Sequence, residues 1–108
     1  MGNLDQAIFD YTKAMEIDPT DWTVYHDLGL AYATKGDFDK AISYFDWGLE
    51  VNPKAENDGQ FHNDRAVAYF WKKEYDKCWN DVNKAIELGY QVHPGFLREL
   101  EKASGRSK

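Results

Sequence analysis

Between residues 20 and 53, apolar and aromatic side chains recur every three or four positions in two runs, broken at Gly36-Asp37. The first run holds Tyr25, Leu28, Gly29 and Tyr32. The second holds Phe38, Ala41, Ile42, Phe45, Gly48 and Leu49. That spacing places each run on one face of a helix. Pro19 cannot continue a helix, and Thr20 or Asp21 can cap the next one, predicted at about 21–34. Gly36 is suited to a left-handed helix end, and Asp37 to capping a second helix at about 38–51, which Pro53 closes. Helices joined by so short a link are antiparallel neighbours. Gly29 and Ala41 let their backbones approach, and Tyr25, Leu28, Tyr32, Phe38, Ile42, Phe45 and Leu49 are the expected core.

The pattern recurs on both sides. A shift of 34 residues lays Ala41 on Ala7, Ile42 on Ile8, Phe45 on Tyr11, Pro53 on Pro19 and Gly36 on Gly2. Residues 1–19 therefore read as a turn at Gly2-Asn3 and the second helix of a unit that has no first helix. Leu4, Ile8, Tyr11 and Met15 make its apolar stripe. A longer array supplies the helix that covers this stripe, or another molecule does. Downstream, a shift of 37 lays Phe38 on Tyr75 and Gly48 on Ala85, so three residues are inserted, most simply in the polar stretch 54–60. The third unit is expected from Phe61 to Leu88, with Lys73-Glu74 in place of Gly-Asp and Trp79 in place of an aliphatic residue. After Gly89-Tyr90, Pro94 suits the first turn of another helix. Phe96, Leu97, Leu100 and Ala103 form its apolar stripe, and Arg98, Glu99, Glu101 and Lys102 lie outside. Residues 104–108 are expected to fray.

A helix, tight turn and second helix repeating at this period resembles the tetratricopeptide repeat. The resemblance implies an all-α, right-handed α-solenoid of about six helices. A single domain would cover residues 1–103: an incomplete repeat at 1–19, a complete one at 20–53, one with an insertion at 54–90, and a capping helix at 93–103. Asn63-Asp64-Arg65-Ala66 with Asp81 resembles a variant of the family in which an Arg on the first helix pairs with an Asp on the second, so an Arg65–Asp81 ion pair is expected. Asp10 occupies the same Asp slot with no Arg before it. In this family the first helices line a concave groove that binds peptides. Read at helical spacing, that face comprises Thr23, His26, Asp27, Leu30, Ala33 and Thr34 on one repeat. On the next it comprises Gln60, Asn63, Asp64, Val67, Phe70 and Trp71. Some relatives clamp the C-terminal carboxylate of chaperones there with Lys, Arg and Asn. This face carries Asp27 and Asp64 and no Lys or Arg, and Asn63 alone makes no clamp. An extended or helical ligand with apolar anchors and a basic residue fits better.

Composition narrows the functional classes. Thirteen Lys and Arg against nineteen Asp and Glu give a net charge of −6, which disfavours nucleic acid and anionic membrane surfaces as partners. With one cysteine, Cys78, no intrachain disulfide can form. No apolar run is long enough to span a membrane and no signal peptide is evident, so a cytoplasmic protein is expected. Gln6 stands where a myristoylation motif wants Ser or Thr. The sequence has no phosphate-binding glycine loop, paired-cysteine motif or His-Glu-x-x-His. His26 and His62 are too few for a zinc site, and Cys78 falls in the slot of Ala41, a small core position. Trp22, Trp47 and Trp71 fall outside the core slots. A non-catalytic protein-interaction scaffold is therefore expected, with no cofactor and no metal. The alternative is a self-associating module that buries Leu4, Ile8, Tyr11 and Met15 in a homodimer.

Overall fold

The computed structural model describes residues 3–107, and the turn expected at Gly2 lies outside them. Among the described residues the chain forms α1 (Asn3–Ile17), α2 (Trp22–Thr34), α3 (Phe38–Val51), α4 (Gly59–Trp71), α5 (Tyr75–Glu87) and α6 (Pro94–Ser104). None of the described residues is in a strand. The contacts divide the chain into two compact units, residues 1–56 and 57–108, where the sequence suggested one domain.

In the first unit the caps are those expected. Asp21 accepts the Thr23 amide, and Asp37 accepts that of Lys40. Gly36 turns the chain at φ 85°, which costs glycine little. Asn52, held extended before Pro53, ends α3. The α2–α3 pair closes tightly because Gly29 has no side chain: a Cβ there would stand 2.5 Å from the Phe45 ring. Tyr25, Leu28 and Phe45 are buried, whereas Tyr32, Phe38, Ile42 and Leu49 are only half-buried. Tyr32 stacks on Tyr44 with ring centroids 5.4 Å apart. The α1 helix packs on α2, yet none of its residues is buried. Leu4, Ile8, Tyr11 and Met15 are half-buried rather than uncovered. The apolar side chains that α1 leaves exposed are Phe9 and Ile17.

The second unit begins earlier than expected because Asp58 accepts the Phe61 amide and caps α4 ahead of Gly59. The inserted stretch is a 3-10 turn, Pro53–Asn57, with Ala55 buried. Trp79 lies in the core with Cys78, Val82, Ala85 and Leu100. Ser104, Gly105 and Arg106 depart from the expected fraying. Ser104 belongs to α6, and its hydroxyl accepts the Trp79 indole N–H at 3.0 Å. Gly105 caps the helix in the left-handed region, and Arg106 pairs with Asp76. A large buried indole needs a partner for its N–H, and the tail supplies one. Ala103, expected in the stripe of α6, is exposed.

Candidate functional site

The face of α2 holds Thr23, His26, Asp27, Leu30 and Thr34 at helical spacing, but its hydroxyls are used internally. Thr23 donates to Asp21, and Thr34 donates to the Leu30 carbonyl at 2.9 Å. His26, half-buried, lies against Phe45 with ring centroids 5.9 Å apart. Asp27 is half-buried as well. Burial pushes its carboxyl above the ordinary range, His26 opposes that, and Asp21 adds to it. The chemistry α2 presents is therefore a partly desolvated carboxylate between an imidazole and Leu30.

On α4, Asn63, Asp64 and Val67 are half-buried, and Trp71 is 60% exposed. Asp64 occupies the slot of Asp27. Phe70, expected on the same face, is turned away instead. Its ring packs edge-on against Tyr75 and Phe96, 6.0 Å and 5.4 Å between centroids. Asn63 also lines a cleft of about 730 Å³ with Ile86, Tyr90, Val92, His93 and Leu97. Helical periodicity did not reveal this cleft, because three separate segments build it. The one signal was Ile86, an apolar residue outside the stripe of α5.

Beneath the α4 face lies the ion pair, with a third member. Arg65 donates from Nε to Asp81 Oδ2 and from a terminal nitrogen to Oδ1, both at 2.8 Å. The His62 ring places Nδ1 3.3 Å from Oδ1. Asp81 is 4% exposed and His62 3%. A forked guanidinium contact matches a carboxylate well, and the imidazole takes a further acceptor site. No buried side-chain nitrogen or oxygen among the described residues lacks a partner. Asp10, in the Asp81 slot of α1, is instead exposed and accepts from Gln6.

Two further residue expectations can be placed. Burial, with Asp81 adding to it, pushes the Cys78 thiol up to about 12, so it is protonated at neutral pH and is a poor nucleophile. The three histidines have separate roles: His26 packs on Phe45, His62 meets Asp81, and His93 Nδ1 caps α6 by accepting the Gly95 amide. No group of three His, Cys, Asp or Glu among the described residues is placed to hold a metal. No helix among them is long and apolar enough to cross a membrane.

Known proteins resemble this arrangement. The family model described as "TPR repeat" matches residues 1–36, and the one described as "Tetratricopeptide repeat" matches residues 22–55. The chain belongs to the tetratricopeptide-repeat family, and its fold is the all-α helix-pair fold of that family. It is 31% identical to Stress-induced-phosphoprotein 1 of Caenorhabditis elegans over 75% of this chain and 24% of that protein. It is 40% identical to the Photosystem I assembly protein Ycf3 of Acaryochloris marina over 48% of this chain and 33% of that one. The chain thus spans only a quarter to a third of these relatives. Among solved structures, the first TPR of Spaghetti (RPAP3), bound to the HSP90 peptide SRMEEVD, superposes with a TM-score of 0.81. It is 25% identical over 96% of this chain and 79% of that one.

Proposed function

We propose that this chain is a non-catalytic protein-interaction module that takes a peptide or protein segment on a first-helix face, that of α2 or that of α4. The contacts would come from Thr23, His26, Asp27, Leu30 and Thr34 on α2, or from Asn63, Asp64, Val67 and Trp71 on α4. One observation carries the reading: Asp27 is held half-buried, its carboxyl raised by burial, beside apolar Leu30. Partial desolvation at a surface favours a paired ligand charge. Asp64 repeats the residue in the next unit. The peptide-bound Spaghetti domain supports a peptide ligand. The acidic character of these faces points away from an acidic terminus such as that peptide's and toward a segment with apolar anchors and a basic residue. A reducing, cytoplasmic setting suits the single buried thiol.

The test is a peptide-library screen against the wild type and the Asp27→Lys and Asp64→Lys variants, with SRMEEVD as an acidic control. Basic-apolar peptides should bind the wild type and lose affinity about tenfold or more on charge reversal. Unchanged binding across the variants, or preferential capture of SRMEEVD by the wild type, sinks the reading.

A second reading is self-association through α1. It is favoured by the exposure of Phe9 (57%) and Ile17 (84%) beside the half-buried Leu4, Ile8, Tyr11 and Met15. Light scattering decides it: a strict monomer at high concentration removes the homodimer.

A further inference from the structure

We propose that a second docking site, on α3, seats an arginine-bearing basic protein segment over Trp47. Ser43, Asp46, Trp47 and Glu50 follow one another at helical spacing and line a surface depression of about 350 Å³. None of them belongs to the first-helix faces described above.

Trp47 is 50% exposed although it belongs to an aromatic cluster. Tyr44 holds one side of the indole with ring centroids 5.6 Å apart, and Tyr25 meets it edge-on at 6.3 Å. The buried phenol of Tyr25 is fixed in turn by donating to the Pro19 carbonyl at 2.8 Å. The indole is therefore immobilised before any ligand arrives, which lowers the entropic cost of binding. A large aromatic surface fixed in place and left half in water is the usual anchor of a protein contact.

The charge around it selects the ligand. Asp46 and Glu50 stand one residue before and three after the indole. The last turn of α3 carries no basic side chain, so its C-terminal carbonyls add negative potential. A guanidinium can lie flat on an indole and still present its N–H fork to a carboxylate. The same cluster already accepts a cation elsewhere: Lys40 Nζ lies 5.2 Å above the ring of Tyr32, which stacks on Tyr44.

The experiment is an NMR titration of the 15N-labelled chain with a capped peptide of alternating glycine and arginine. Matched lysine and glutamate peptides serve as comparisons. Saturable shifts are expected at the Trp47 indole N–H and the Ser43, Asp46 and Glu50 amides. Affinity should fall severalfold with lysine, and binding should vanish with glutamate. Trp47→Leu should weaken binding about tenfold. Because Asp46 and Glu50 are exposed, Asp46→Lys and Glu50→Lys test the site without disturbing the core, and each should abolish saturation. Asp27→Lys with Asp64→Lys should leave it unchanged, which separates this site from the first-helix faces. Three outcomes overturn the proposal: shifts centred on Asp27 or Asp64; equal affinity in the wild type and Glu50→Lys; or concentration-dependent shifts at Trp47 without peptide, which would make a second copy the occupant.

Discussion

Tyr25, Leu28 and Tyr44 in the first unit occupy the same repeat positions as His62, Arg65 and Asp81 in the second. One unit fills them with a stacked aromatic and aliphatic cluster, the other with a buried carboxylate held by a guanidinium and an imidazole. The backbone around both is alike: thirteen-residue first helices, a three-residue link and a close second helix. One helix pair can therefore be closed by dispersion and apolar burial or by directional hydrogen bonds. The two solutions fail differently. An apolar cluster loses stability in proportion to the atoms removed, whereas an ionic triad collapses when one member leaves, because the remaining charge is stranded away from water.

The turns differ in parallel. Gly36-Asp37 supplies a residue at ease with positive φ and a side-chain cap. Lys73-Glu74 supplies neither: Lys73 sits at φ 63°, and Glu74 makes no cap hydrogen bond. Glu74 instead pairs with Lys72 and Lys77, each at 3.2 Å.

Breaking the triad should have the largest effect. Asp81→Ala or Arg65→Ala should cost about 3–5 kcal/mol, read from urea unfolding, because each breaks the forked contact of the ion pair from one side. Exchanging all three residues for those of the first unit (His62→Tyr, Arg65→Leu, Asp81→Tyr) should be neutral or stabilising. If the triple exchange is as damaging as the single changes, the two solutions are not interchangeable. Next comes Gly29→Ala, which drives a methyl group into the Phe45 ring and should cost about 1–3 kcal/mol by overpacking. Ala66, in the same slot of the second unit, shows that the clash belongs to Phe45 rather than to the repeat. Lys73→Gly should stabilise by about 1 kcal/mol by relieving the left-handed lysine, and Gly36→Lys should destabilise by a similar amount. Equal thermal midpoints for the two would show that neither turn is strained.

The smallest effects are those of pH. Asp27 has its carboxyl raised by burial, so its contribution to folding is present at acid pH and lost as pH rises through the folded value, above 3.8. Glu74 is lowered by hydrogen bonds from Lys77 and Lys72, so its contribution is present above 4.5 and lost as pH falls through the folded value. Asp27→Asn and Glu74→Gln should each flatten the corresponding slope of stability against pH, in opposite directions.

The local parts of this structure were legible in the sequence. Helix positions follow from residue periodicity, the Asp21 and Asp37 caps from side-chain chemistry, and the Gly29 approach from the absence of a side chain. The Arg65–Asp81 pair was legible through the resemblance of Asn63-Asp64-Arg65-Ala66 and Asp81 to the Arg–Asp variant of the family. His62 was not, since its slot in the preceding unit holds Tyr25 and one repeat cannot announce that its neighbour has changed chemistry. Phe70 was assigned to the first-helix face because periodicity gives a residue's angle around α4 but not which flank the Phe96 ring will cover. The Trp79–Ser104 bond joins residues on different helices, one of them at the end of α6, and no local spacing encodes it. Nor could the spacing of α1 show how much of its stripe α2 would cover.

Cys78 closes the comparison from another direction. It is the chain's only thiol, it is buried, and burial holds it protonated. A disulfide reagent can reach it only through an opening of the second unit, and the first unit contributes no signal. The rate of labelling therefore clocks the opening of one half of the molecule while the other half stays silent. The pair of solutions to one packing problem thus comes with its own chemical stopwatch on the ionic side.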